Sequence, residues 1–351
     1  MRTLLLSSVE GNSGPDAVNR KIVEHWPETE DIITIRQCSR LGKITRSFLA
    51  ARSADVVVSA AGDWLEILAC SAFHRIGIPV VCFNHGYLPF ENEANNLGLS
   101  GSKVAAYKKY LKEADLVVAN SKHQMHFLQQ MQPELTVKTA YVNNAVEPFP
   151  QQKREGKKSE KAIIAVSGGT RPIKGNEVVA RAIRRMADHG ITCELQVFGY
   201  SYADNPALMK ALDSIDGQLF GQVSARQFLE RLGNADIFVM NSRHESFGLS
   251  ALDAISAGTS VLLSKNCGVA DLLSLDETDV VQDCENEEEI ASKLIHLLEY
   301  PNAKRVYESI DFHALNWESS VREFFWLCKH VVDARQARNS QRGIRKSFKR
   351  Q

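Results

Sequence analysis

Residues 241–263, NSRHESFGLSALDAISAGTSVLL, place two carboxylates, Glu245 and Asp253, on either side of a Phe-Gly pair. The stretch follows the apolar run ADIFVM, and Leu249, Leu252, Ala254 and Ile255 then recur at helical spacing until Gly258. Glu245 therefore falls on a loop after a strand, and Asp253 one to two turns into the next helix. The amides of Ser246, Phe247, Gly248 and Leu249 fall at that helix's N-terminus, where unbonded N–H groups and the helix dipole attract an anion. Taken alone, Glu245 reads as a helix cap and Asp253 as a solvated face residue. A second stretch, GGTRPIKGN at 168–176, sets Arg171 and Lys174 after a glycine pair and before another helix, a pattern able to hold a diphosphate. Two loop bases by themselves are usually just solvated. Bases for a diphosphate together with carboxylates for ribose and sugar hydroxyls are what a nucleotide sugar requires.

The elements that must position these residues are legible as alternation. Strand-length apolar runs begin at residues 3, 55, 79, 115, 162, 193, 236 and 259, and longer amphipathic stretches such as NEVVARAIRRMADHG lie between them. This predicts parallel sheets covered by helices. The polar, Lys-rich segment PFPQQKREGKKSEK at 148–161 reads as a linker between two such domains. Ligands bind beyond the carboxyl ends of strands in these sheets. The loops there are VEGNSGP with Gly11 and Gly14, Asn84-His85-Gly86, GGTRPIKG and NSRHESFG. The first lacks full GxGxxG spacing, and there is no Walker sequence.

A chain of 351 residues with 44% hydrophobic and 24% charged residues can bury two cores. No run is long enough to span a bilayer and no signal peptide is legible, so the expectation is a cytoplasmic protein. Seven scattered cysteines without CxxC spacing predict reduced thiols and no metal site. The zero net charge hides a tail, RQARNSQRGIRKSFKRQ, with seven bases and no acid, which leaves residues 1–333 with 35 bases and 42 acids. Such a tail is either a solvated end or a contact with an anionic membrane surface on its cytoplasmic face. Nothing supports nucleic acid as a partner.

AIIAVSGGTRPIKGNEVVARAI and FGQVSARQFLERLGNADIFVMNSRHESFGLSALDAISAGTSVL resemble the nucleotide-binding half of retaining GT-B glycosyltransferases of the group 1, or family 4, type. NHG at 84, ADLVVANSKHQMHFL at 114 and VNNAVEPF at 142 resemble segments of that family's first half. The resemblance implies a GT-B fold of two doubly wound, Rossmann-like α/β domains. Its parts would be an acceptor-side domain over 1–148, a linker over 149–161 and a nucleotide-sugar domain over 162–315. A helix over 316–333 would cross back to the first domain, and a flexible basic tail would follow over 334–351.

The resemblance also implies roles. Lys174 and Arg171 would neutralise the donor diphosphate without a metal, Asp253 would bind ribose, and Glu245 and His85 would face the transferred sugar near the reacting centre. Ser246, Phe247, Gly248 and Leu249 would offer amides, and Gly14 would let the first loop approach the ligand. The base would lie near Phe220, Gly221 and Gln222. The donor would be a nucleotide diphosphate sugar, UDP-sugar first, with no further cofactor. The acceptor would be a glycan or lipid-linked hydroxyl in surface polysaccharide or glycolipid synthesis. The chain departs from the pattern at Asp253, where the family has Glu, at Gly169, where it often has Arg, and at Ala145, where it has Gly. Asp253 and Gly169 keep open a non-catalytic nucleotide-sugar-binding subunit, and a nucleotide-sugar epimerase or hydrolase on the same two-domain scaffold is the other alternative.

Overall fold

The computed structural model describes residues 1–11, 13–35, 40–60, 64–146, 161–200 and 205–348. The expected linker at 149–161 lies outside them but for residue 161. Two compact units are present: Met1–Pro89 with Gly98–Ala145 and His313–Gln351, and Phe90–Leu97 with Val146–Phe312. The first expected domain included residues 90–97; their contacts place them with the second unit instead.

The first unit holds β1 (Arg2–Leu5), β2 (Asp31–Thr34), β3 (Val56–Ser59), β4 (Val80–Asn84), β5 (Leu116–Ala119) and β6 (Thr139–Tyr141), all parallel, in the order β2-β1-β3-β4-β5-β6. Its helices are α1 (Gly14–Glu24), α2 (Arg40–Ala51), α3 (Trp64–Arg75), the start of α4 (Leu88–Ala94), α5 (Gly101–Glu113) and α6 (Lys122–Met131). The second unit holds β7 (Ala162–Ser167), β8 (Cys193–Phe198), β9 (Asp216–Gly221), β10 (Ile237–Met240), β11 (Ser260–Ser264) and β12 (Val280–Val281), again parallel, in the order β12-β11-β10-β7-β8-β9. Its helices are α7 (Asn176–Asp188), α8 (Pro206–Leu212), α9 (Ala225–Asn234), α10 (Leu249–Ser256), α11 (Glu287–Glu299) and α12 (Ala303–Glu308).

Inner strands such as VVVS of β3 and IFVM of β10 are buried along their whole length, as strands covered on both faces must be. α7 and α11 cover one face of the second sheet with Val179, Ile183, Met186, Ile290 and Leu294. In the second sheet the strand order reverses between β7 and β10, the position at which such sheets open a crevice for ligand. The loops carrying Lys174 and Glu245 leave those two strands.

The last helix, α13 (Trp317–Phe348), belongs to the first unit. Phe324 packs on Phe83 with ring centroids 4.8 Å apart, and Phe325 meets Trp26 edge-on at 5.5 Å. Val321 and Cys328 are buried on the same side. The helix does not stop at residue 333: it continues to Phe348, so most of the expected flexible tail is helical. Arg335, one of the seven tail bases, donates to both oxygens of Asp115 at 3.1 and 3.4 Å. Among the described residues no helix is long and apolar enough to cross a membrane.

Candidate donor site on the second unit

After β7, the chain turns through Gly168 and Gly169, both with positive φ (92° and 63°), into a short 3-10 turn, Pro172–Lys174. A Cβ on Gly169 would lie 2.0 Å from the Tyr200 carbonyl oxygen, so no side chain fits there. Arg171 donates from Nε to the Gly168 carbonyl at 3.3 Å. Gly175, with φ 62°, ends the turn and starts α7, and Asn176 ties the loop down by donating to the Gly169 and Ser167 carbonyls at 2.9 and 3.2 Å.

After β10, Glu245 accepts from the Lys174 ammonium, and both side chains are largely buried, at 16% and 13% exposure. Burial pushes the Glu245 carboxyl up, but the Lys174 charge and hydrogen bond, with help from Arg171 and His244, outweigh it and hold the group below its ordinary value. A further acid, Glu91 on α4, shares this field. Burial raises its pKa, against the lowering pull of Arg171 and Lys174. The segment carrying Glu91 is fixed on the site: Asn95 Oδ1 accepts from the Ile173 amide at 3.1 Å, and Phe90 meets His244 edge-on at 5.9 Å.

Gly248, with φ 110°, begins α10 without a side-chain cap. The amides of Phe247, Gly248 and Leu249 have no acceptor among the described residues. Asp253, half-buried on α10, also has no partner for its carboxylate among the described residues. Burial alone pushes its pKa up to about 6. Gly221 ends β9 with φ 65° and accepts from the Gly199 amide at 2.8 Å. The neighbouring Phe220 ring stacks on Phe198 at 5.2 Å and carries the Arg231 guanidinium at 3.9 Å.

Two expected site residues belong to the first unit. His85 follows β4; its Nε2 is buried without a partner among the described residues, and burial lowers its pKa to about 4 against a raising pull from Asp16, so the ring is neutral near pH 7. Tyr107 holds the strand end by donating to the Gly86 carbonyl at 2.9 Å. Gly14 opens α1, and a Cβ there would meet nothing within 4 Å among the described residues. At the start of α1 the amides of Ser13 and Asp16 are answered by a reciprocal capping box between those two residues, and Pro15 has no amide to offer.

The structure thus brings Lys174, Arg171 and Glu245 together and leaves uncapped amides at the start of the helix that carries Asp253. Glu91, Asn95 and Arg243 escaped the sequence reading. Only Arg243 carried a signal, its place in the 241–245 stretch.

No curated protein matches this sequence significantly. Among solved structures, sucrose-phosphate synthase from Thermosynechococcus elongatus is similar at TM-score 0.76 with 14% identity, covering 95% of this chain and 100% of that one. HepE from Anabaena, in complex with UDP and glucose, is similar at 0.68 with 14% identity, covering 92% and 98%. A glycosyltransferase from Rickettsia africae is similar at 0.63 with 17% identity, covering 94% and 98%. These likenesses establish the GT-B fold, two Rossmann-like domains. Residues 103–324, well over half the chain, match the family described as "Family 4 Glycosyltransferase in conflict systems", and the chain belongs to that family of glycosyltransferases.

Proposed function

We propose that the chain moves a hexose from a nucleotide diphosphate sugar, UDP-sugar first, to a hydroxyl of a glycan or lipid-linked acceptor, with retention at the anomeric carbon. The observation that carries this reading is the Lys174–Glu245 pair at the strand-order reversal, beside the uncapped start of α10. A diphosphate takes the place of the Glu245 carboxylate at Lys174, with Arg171 as the second base, so positive side chains supply the leaving group's charge stabilisation in place of a metal ion. Glu245, released, accepts hydrogen bonds from the sugar, and Asp253 accepts them from the ribose. The amides of Phe247, Gly248 and Leu249 bind phosphate or sugar oxygens, and neutral His85 contacts the sugar. UDP as the carrier is supported by the similar fold of HepE, solved with UDP-glucose.

Surface polysaccharide or glycolipid assembly is the setting the sequence resemblance suggests. The matched family is described by conflict systems, which favours a second setting in which the acceptor is a target molecule of such a system. The test is incubation with UDP-, GDP- and ADP-sugars, with and without candidate acceptors and with EDTA, and assignment of the product anomer by NMR. Transfer that persists in EDTA with the donor's anomeric configuration supports the proposal. Sugar release or epimerisation that ignores the acceptor, or tight binding without turnover, replaces it with one of the alternative readings.

A further inference from the structure

Asn241, Arg243 and Glu245 stand at alternate positions of the loop that follows β10. All three meet the turn that carries Lys174. Asn241 Nδ2 donates to the Gly175 carbonyl at 3.4 Å and to the Cys284 carbonyl at 2.8 Å. The Arg243 amide donates to the Ile173 carbonyl at 2.8 Å, and its Nη1 donates to the Pro172 carbonyl. Glu245 holds the Lys174 ammonium itself. Two successive carbonyls of a three-residue turn are thus bound by a single residue.

The Arg243 guanidinium is in turn fixed from behind. Nη2 donates to Glu177 Oε1 at 2.7 Å, and Nε and Nη2 reach the two Glu285 oxygens at 2.6 and 3.0 Å. Glu177 is buried, and its other oxygen has no partner among the described residues. A planar fork satisfies this arrangement and a lysine ammonium cannot, because no single point charge spans a carbonyl, a buried carboxylate and a bidentate carboxylate.

We propose that Arg243 is a positioning residue that sets the register between the Lys174 turn and the Glu245 loop, and so aims the Lys174 ammonium at the ligand's diphosphate. The inference rests on the proposed donor site. Its consequence is specific: Arg243 acts on ligand only through Lys174.

The test measures binding of UDP, GDP and ADP to the unaltered chain by calorimetry, then follows the tightest of them in Arg243→Lys, Lys174→Ala and the double variant, with thermal midpoints alongside. Losing the fork is expected to weaken binding about tenfold when Lys174 is present, the loss typical of a misplaced charge-assisted hydrogen bond, and by less than about twofold in the Lys174→Ala background. Glu285→Gln, on a half-exposed side chain that can change without emptying the core, is expected to show a smaller loss with the same dependence on Lys174. It decides the matter where Arg243→Lys does not fold. Equal losses in both backgrounds, or none in either, overturn the inference while leaving the donor site standing. Failure of the unaltered chain to bind any of the three nucleotides overturns the functional reading and the inference with it.

Discussion

Asp253→Asn should stabilise the protein above pH 6 while weakening its grip on nucleotide. The carboxylate is half-buried on α10, no neighbour among the described residues compensates its charge, and burial raises its pKa from 3.8 to about 6. In the unfolded chain the group ionises near pH 4; in the folded chain it holds its proton until about pH 6. Below pH 4 both states are protonated and the group costs nothing. As pH rises from 4 to 6 the unfolded state releases a proton that the native state retains, so stability falls, and above 6 the full penalty remains. At 1.36 kcal/mol per pH unit this gap is worth ~3 kcal/mol, and because water reaches part of the group the realised cost lies at about 1–3 kcal/mol. Asparagine keeps the shape and removes the charge. Thermal midpoints of the two proteins at pH 4, 6 and 8 should therefore coincide at pH 4 and diverge by several degrees at pH 8, the variant higher, since every other titration is common to both. Calorimetry with UDP should show the reverse ranking, with the variant about tenfold weaker or more, and the unaltered protein binding better as pH rises through 6. A variant no more stable at pH 8 than at pH 4, relative to the parent, would refute the reasoning.

Three further outcomes follow from the geometry. Glu245→Gln should slow sugar transfer more than it weakens free nucleoside diphosphate, because the ammonium of Lys174 is then released to the phosphates; parallel loss in calorimetry and kinetics would contradict the assignment. Gly169→Arg should not add a diphosphate contact, although the sequence resemblance suggests a base there: the φ of 63° and a Cβ 2.0 Å from the Tyr200 carbonyl oxygen predict destabilisation beyond about 1 kcal/mol, and a variant with an unchanged midpoint and tighter UDP binding would show the loop to be differently built. Truncation after Asp333 removes Arg335 from half-buried Asp115, so the first unit should lose about 1–3 kcal/mol, Arg335→Ala should reproduce the loss, and binding to anionic vesicles at low salt should fall only in the truncated protein.

The eight strands read from the sequence are the eight inner strands of the two sheets. The four that escaped, β2, β6, β9 and β12, are the four edges. An inner strand is covered on both faces and carries a nearly continuous apolar run, as VVVS and SVLLS do, whereas β9, DGQLFG, is exposed at three of its six positions and leaves no apolar run to find. Helix limits failed for a similar reason at the chain's end: the residues after Asp333 lack an apolar stripe, yet α13 continues to Phe348, with Arg335 bonded to a carboxylate far away in sequence. Gly169 shows a different gap. Its identity suggested a missing base, and the close backbone of Tyr200 together with the positive φ explains the glycine.

By itself the sequence determined the chemistry on offer and its local setting: two bases after one strand, two acids around the start of one helix, each at a strand's carboxyl end, because side-chain periodicity and glycine or proline punctuation are local consequences of burial and backbone sterics. The tertiary structure decided which of these meet. Pairing of β10 with β7 carries Glu245 to Lys174, the docking of residues 90–97 adds Glu91 to the same field, and Arg243 becomes a clamp only because Pro172, Glu177 and Glu285 converge on it. Strand order and long-range docking depend on which apolar faces fit one another, and that is a property of the packed chain, not of any window within it.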